Sequence, residues 1–172
     1  VKTINLIKAF LTPIKTLEVQ PRDLNEILKK LVEELDVSKT KITLEKAEGL
    51  PAVELNEERI EEMFTFFIGS AVEAASEQSD GFVQVRLEQL EAGARILITE
   101  KGQRDEDLTL EMLREPPFIH GKTYLYEQYL QLSLGLKYIE AHGGKCEIES
   151  DKKGGTTISI ILPFLAKKDQ KK

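Results

Sequence analysis

Two segments of the chain have the clearest helical spacing of apolar residues. From Glu57 to about Gln78, apolar side chains recur every three or four positions, which predicts one long helix with a single buried face. Around Tyr129 a second helix is predicted, and it should end at Gly143 because glycine readily adopts the left-handed backbone of a helix C-terminus. The buried faces comprise Ile60, Phe64, Phe67, Ile68, Ala71 and Ala75 in the first helix, and Leu132, Gly135 and Ile139 in the second.

Strict alternation of apolar and polar residues predicts strands elsewhere. Residues 83–88 and 96–100 form one hairpin, in which Glu100 shares the inward parity of Ile96 and Ile98. Residues 146–150 and 156–162 form a second hairpin, in which Cys146 and Thr156 lie on the inner faces. Shorter strands are predicted at Lys41–Lys46 and Ala52–Leu55.

Capping residues and breaks complete the list of elements. Asp23 and Asn56 are good N-caps for two helices, and Val1–Leu11 is amphipathic with apolar residues at coiled-coil-like spacing.

Gln103–Gln128 has no clear periodicity and includes two adjacent prolines, so a functional or mobile loop is expected there. Gly135 lies inside a predicted helix, and close packing of that helix on the sheet would explain it.

Composition narrows the class of protein. With 172 residues, of which 41% are hydrophobic, the chain suits about one domain with a substantial core. A net charge of −6 argues against nucleic acid as the main partner, and no apolar run reaches the ~20 residues that span a bilayer. A single cysteine excludes an internal disulfide and fits the cytoplasm, and Cys146 should serve packing rather than reactivity.

The segment IEAHGGKCEIES…GGTTISIILPF resembles the end of the ATP-binding domain of sensor histidine kinases. That domain belongs to a wider family with gyrase, the mismatch-repair ATPases and the heat-shock chaperones. The resemblance implies a two-layer α/β sandwich, in which three helices cover one face of a mixed, mainly antiparallel sheet. It also implies the end of a dimerisation helix with its linker at 1–17 and the ATPase-like domain at 18–166, while the charge of residues 167–172 predicts a basic solvated tail. An ordinary N-terminal helix remains the alternative for the first part.

The first ATP-binding motif of the family aligns with NEERIEEMFTFFIGSAVEA. Ser70 then stands where the family has its magnesium-binding asparagine, and a hydroxyl is a poorer Mg²⁺ ligand than an amide oxygen. Glu73 stands where a basic residue usually meets phosphate. Phe66 stands where relatives have a catalytic glutamate or a second asparagine, and it cannot act as a base.

The second motif aligns with ITEKGQRD. Glu100 replaces the aspartate that accepts a hydrogen bond from adenine, Gly102 is kept, and Arg104 replaces the second glycine. A side chain at 104 therefore stands where relatives have none. Near the C-terminus, Thr156 matches a threonine that assists the adenine contact.

The third, glycine-rich motif has two possible placements. Leu134–Leu136 reads LGL but lies only five residues before His142, so the ungapped alignment to Tyr129–Leu132 is preferred. Tyr129 and Gln131 then replace both glycines of a phosphate cradle that needs free backbone N–H groups. His142 is interpreted as an ordinary residue at a helix C-terminus, and His120 has no partner at metal-ligand spacing.

These substitutions lead to an expectation of lost or weakened ATP binding, with no catalytic residue and no cofactor. The domain would be a regulatory or docking module of a pseudokinase or phosphotransfer protein. Its partners would be a response regulator or its own upstream domains, in a homodimeric full-length protein with no nucleic-acid or membrane contact. Two alternatives remain: an active kinase domain that binds Mg-ATP through Ser70, Glu100, Gly102 and Thr156, and an unrelated α/β interaction domain.

Two structural expectations follow from the alignment. Ser70 and Glu100 should lie near each other, facing the helix layer. The connection 103–128 should be mobile or collapsed into the vacant pocket.

Overall fold

The computed structural model describes residues 2–35, 40–115, 123–151 and 153–165, apart from the side chains of 123–125. Its helices are α1 (Lys2–Leu11), α2 (Leu24–Glu34), α3 (Glu57–Ser76), α4 (Leu110–Arg114) and α5 (Thr123–Ala141). Its strands are β1 (Gln20–Arg22), β2 (Lys41–Glu45), β3 (Val53–Leu55), β4 (Phe82–Gln89), β5 (Gly93–Lys101), β6 (Lys145–Asp151) and β7 (Gly155–Pro163).

The main sheet has five strands in the order β2-β4-β5-β7-β6, and β1 pairs with β3 in a small second sheet. Of the strand pairs that the structure describes in this sheet, β2–β4 is parallel and β4–β5, β5–β7 and β6–β7 are antiparallel. Inward residues of β4, β5 and β7 pair across the strands, as in the row Val85, Ile98 and Ile158, and these three are buried. The predicted two-layer architecture with a mixed, mainly antiparallel sheet is confirmed.

The helix ends follow the local sequence. Asp23 accepts hydrogen bonds from the N–H groups of Asn25 and Glu26, and Asn56 accepts one from Arg59 N–H at 3.1 Å. Gly143 has φ +74°, the left-handed conformation that ends α5. These three predictions are confirmed.

Helices α3 and α5 pack against each other closely at Gly135. A Cβ atom at this position would lie 2.6 Å from Cε2 of Phe67, a residue that is fully buried. The expectation of close packing was right, but its partner was wrong. The nearest atoms belong to Phe67 and Met63 of the adjacent helix α3, not to the sheet.

The connection after β5 is not one irregular loop. Helix α4 lies within it, and α5 begins at Thr123, six residues before Tyr129. The expectation of an unstructured segment up to Gln128 was therefore wrong. The adjacent prolines, His120 and the tail 167–172 lie outside the described residues.

Helix α1 packs along α5. Leu6 joins the core, and Lys137 Nζ donates to the carbonyl oxygen of Phe10 at 2.6 Å. Ile4 and Leu11, two of the residues at coiled-coil-like spacing, are 56% and 70% exposed. The amphipathic helix that the sequence predicts is therefore present, with part of its apolar stripe facing solvent.

His142 joins the end of α5 to the start of α3. Its Nδ1 lies 2.7 Å from the carbonyl oxygen of Tyr138, and its Nε2 accepts a hydrogen bond from Asn56 N–H at 3.0 Å. This pattern requires a neutral ring with the proton on Nδ1. Burial lowers the pKa of His142 below its ordinary value of 6.5. The residue is a buried connector rather than an ordinary helix-end residue.

A loss of stability below pH 6.5 is expected from His142. The unfolded state takes up a proton there that the folded ring resists, so the contribution is present above pH 6.5 and is lost as pH falls. Urea unfolding at pH 7.5 and 5.5 should show a larger loss of unfolding free energy in the wild type than in His142→Gln. Equal losses in both proteins would contradict this.

Candidate functional site

The C-terminal half of α3, the segment after β5 and the helix α5 enclose a cleft of about 360 Å³. Its floor is formed by α3, and the chain after β5 covers one side. The residues that line it are Ser70, Glu73, Ala74, Glu77, Gln103, Arg104, Asp105, Glu106, Leu108, Gln128 and Tyr129.

Arg104 occupies the centre of this site. Its Nη1 donates to Ser70 Oγ at 2.9 Å, and its Nε donates to Glu100 Oε1 at 3.0 Å and to Thr156 Oγ1 at 3.2 Å. The Arg104 side chain is only 12% exposed. One guanidinium thus joins α3, the end of β5 and the start of β7.

Glu100 forms the acidic half of a buried ion pair. The residue is 3% exposed and faces the helix layer. Burial raises the pKa of its carboxyl above the ordinary value, while Arg104 and the Thr156 hydroxyl act in the opposite direction. Glu100 Oε2 and Arg104 Nη2 are buried without a hydrogen-bond partner, so the pair is not the bidentate arrangement that an arginine and a carboxylate can form.

A chain of hydrogen bonds extends from this pair to the segment after β5. Thr156 Oγ1 lies 2.9 Å from Ser150 Oγ, which accepts a hydrogen bond from Leu108 N–H at 2.9 Å. Leu108 is buried. The part of the predicted loop up to Leu113 is therefore collapsed onto the domain, which is one of the two expected states.

The rim of the cleft is acidic. Glu73, Glu77, Asp105 and Glu106 line it and are exposed, and Arg104 is the one basic side chain among the described residues that line it. Within the described part of the chain, no group of three or more His, Cys, Asp or Glu residues is placed to hold a metal ion.

The structure brings together three of the predicted site residues. Ser70, Glu100 and Thr156 all contact Arg104, which confirms that Ser70 and Glu100 are neighbours on the inner side of the sheet. Glu73 lines the same cleft from the next turn of α3.

Gly102 is explained by packing. A Cβ atom here would lie 2.4 Å from the backbone carbon of Ala74, and the adjacent Gln103 N–H donates to Ala74 O at 3.1 Å. A side chain at 102 would therefore push the end of β5 away from α3.

Tyr129 and Gln131 are placed differently from each other. Tyr129 is buried and lines the cleft, whereas Gln131 is half-buried and is not among its lining residues. Both lie inside α5, beyond its first turn, so they do not stand at a helix N-terminus. The expectation that both fill one phosphate cradle was wrong, because α5 extends six residues further towards the N-terminus.

The sequence did not predict the contacts that the Arg104 side chain makes with Ser70, Glu100 and Thr156. Position 104 was identified only as a lost glycine, although an opposite charge four residues away at Glu100 was a signal for an ion pair.

Cys146 behaves as expected. It is buried, and burial raises the pKa of its thiol to about 12, so it packs and stays protonated.

Comparisons with known proteins identify the family of this chain and relate its fold to solved structures. The family described as "Histidine kinase-, DNA gyrase B-, and HSP90-like ATPase" matches residues 55–166. The chain therefore belongs to this ATPase family. No curated protein matches it.

Solved structures of histidine kinases share the fold. The catalytic domain of ThkA superposes with a TM-score of 0.66 at 22% identity, covering 87% of this chain and 97% of that one. Full-length ShkA in complex with AMPPNP gives 0.76 at 17% identity, covering 95% of this chain and 35% of ShkA. ThkA in complex with the response regulator TrrA gives 0.70 at 21% identity, covering 95% of this chain and 47% of that one. The chain thus spans the isolated catalytic domain but less than half of the longer proteins. None of the described helices is long and apolar enough to cross a membrane.

Proposed function

We propose that this chain is a histidine kinase-like ATPase domain that has lost ATP binding and acts as a regulatory or docking module in a two-component signalling protein. The observation that carries the proposal is the position of Arg104. Its guanidinium contacts Ser70, Glu100 and Thr156, the three residues that the family alignment assigns to magnesium and adenine.

The residues present fit Mg-ATP poorly. Adenine at Glu100 would have to displace a guanidinium that is hydrogen-bonded to three partners. Displacement would leave the buried Glu100 carboxylate without its counter-charge, and a buried unpaired charge is costly. The family's way of binding adenine is therefore disfavoured by the ion pair as well as by the volume of the side chain.

The charge of the cleft adds to this effect. The four carboxylates at its rim would face the phosphates of a nucleotide, and like charges at close range repel each other, although solvent screens exposed groups. The exposed Glu73 stands where relatives place a basic residue for phosphate. Ser70 is engaged by Arg104 and offers only a hydroxyl to a metal ion.

The proposed partners are proteins. The ThkA–TrrA complex is a precedent for a response regulator bound to a kinase with this domain fold, and we extend that partner class to this chain. The upstream dimerisation and sensor domains of the same protein are the other proposed partners, with the cytoplasm as the compartment. The catalytic step of phosphotransfer, if the parent protein performs one, would not be supplied by this cleft.

Thermal unfolding with and without nucleotide tests the proposal. A ligand that binds only the folded state at a hundredfold excess over Kd adds about 2.7 kcal/mol, so a micromolar site should raise Tm by roughly five degrees or more. We expect millimolar Mg-ATP to leave Tm unchanged within about one degree. Ser70→Asn alone should not restore binding, because Arg104 still fills the pocket.

The alternative is an active kinase domain, and the retained Gly102 and Thr156 favour it. In that case Arg104 would leave the pocket when nucleotide enters. A wild-type Tm increase of five degrees or more with Mg-ATP, abolished in Glu100→Ala, would establish this alternative and overturn the proposal.

A further inference from the structure

We propose that Arg104 acts as an internal ligand, which holds the segment Gln103–Leu113 closed over the cleft without any nucleotide. This segment is named the strap. The inference rests on the proposed function because the strap lines the cleft that is proposed to have lost ATP binding. It adds that the domain has one closed conformation that does not depend on ligand.

The two ends of the strap are fixed by different contacts. At its start, Gln103 N–H donates to Ala74 O at 3.1 Å, and Gln78 Nε2 donates to Gln103 Oε1 at 2.9 Å. At its end, Leu113 is fully buried in α4, whose first turn is capped by Thr109. Between these ends, Arg104, Asp105, Glu106 and Leu108 of the strap line the cleft.

The middle of the strap is held by the chain of polar contacts that begins at Arg104. Arg104 binds Thr156, Thr156 is within hydrogen-bonding distance of Ser150, and Ser150 accepts from Leu108 N–H. These contacts join residues that are 52 and 42 positions apart in sequence. Thr156 and Leu108 are buried and Arg104 and Ser150 are half-buried, so solvent has limited access to these hydrogen bonds.

The consequence is a rigid acidic rim. Asp105 directly follows Arg104 and lines the cleft, so the side chain that enters the pocket also fixes the backbone of its acidic neighbour. If Arg104 leaves, the strap loses its side-chain contacts with Ser70 of α3, Glu100 of β5 and Thr156 of β7 together. Local opening of this kind is measured by hydrogen exchange at the amides it exposes.

Hydrogen exchange without nucleotide tests the inference. The best variant is the double substitution Glu100→Gln with Arg104→Met, because it removes both buried charges and leaves neither stranded. We expect the amide of Leu108 and its neighbours in the strap to exchange roughly tenfold faster or more than in the wild type. Amides of the interior strand β4, such as those of Val85 and Leu87, should change much less.

Two further variants serve as controls. Arg114→Met removes an exposed ion pair with Glu140 just beyond the strap, so it should leave strap exchange within about twofold of the wild type. Arg104→Lys keeps the charge beside Glu100 but cannot reproduce the forked contacts to Ser70 and Thr156, so strap exchange should lie between the wild type and the double variant.

Unchanged exchange at Leu108 in the double variant would overturn the inference, because the strap would then be held by Leu108 and Leu113 alone. Equal acceleration in the strap and in β4 would also overturn it, since the loss would then be global. The test is independent of the nucleotide titration. If the wild type binds Mg-ATP, the proposed function is refuted. If the strap amides of the double variant still exchange faster than those of the wild type, the role of Arg104 as an internal ligand is supported independently.

Discussion

Replacing Arg104 with methionine is expected to lower the free energy of unfolding by about 3–5 kcal/mol at pH 7. The substitution leaves the Glu100 carboxylate buried without a counter-charge, at a position that is 3% exposed. It also leaves the Ser70 and Thr156 hydroxyls without their shared donor. Urea unfolding monitored by circular dichroism would measure the change.

A double-mutant cycle separates charge from packing. If the stranded carboxylate dominates, adding Glu100→Gln to Arg104→Met should restore at least half of the lost free energy, because a neutral amide is far less costly to bury. Arg114→Met removes an exposed arginine from the pair with Glu140 and should cost under about 1 kcal/mol. A double variant no more stable than Arg104→Met would refute the electrostatic explanation.

The deficit should also depend on pH in a defined direction. Burial already raises the pKa of Glu100, and loss of Arg104 raises it further. A carboxyl with a raised pKa destabilises the folded state increasingly as pH rises above its ordinary value of 4.5. The difference between wild type and Arg104→Met should therefore shrink between pH 7 and pH 4.5. A constant difference would indicate that lost packing, and not charge, is responsible.

Gly135→Ala is expected to destabilise the domain by about 1–3 kcal/mol, although alanine is the better helix former. The added Cβ would lie 2.6 Å from the ring of Phe67 and 3.5 Å from Cγ of Met63. Both neighbours are fully buried, so the ring cannot move aside without disturbing the contact between α3 and α5. The midpoint of urea unfolding measures the effect.

Gly69→Ala is the matched control. Gly69 also lies inside a helix, but apart from its chain neighbours and the nearby backbone of its own helix, no described atom lies within 4 Å of the position that its Cβ would occupy. This substitution should stabilise the protein by about 0.5–1 kcal/mol through helix propensity alone. Opposite signs at the two glycines are the expected outcome, and a stabilising Gly135→Ala would contradict the close packing of α3 on α5.

The sequence by itself determined the elements whose cause is local. Alternation along β4, β5 and β7 fixes which side chains face the helices, because a one-residue shift would turn every one of them outward. Asp23 and Asn56 define helix starts because their side chains accept hydrogen bonds from backbone N–H groups two or three residues later. Gly143 defines a helix end because glycine readily adopts a positive φ. The positions of Ser70 and Glu100 in the site followed from the same periodicity.

Only the tertiary structure decided what occupies that site. Arg104 lies outside any helix or strand, so no periodicity sets the direction of its side chain, and its partners Ser70 and Thr156 are 34 and 52 residues away. The start of α5 and the neighbour of Gly135 were likewise undetermined, because both depend on how α5 packs against α3. The physical reason is the same in each case. Burial of a long charged side chain or of a bare helix face is favourable only when distant residues supply its partners, and the fold alone brings those residues together.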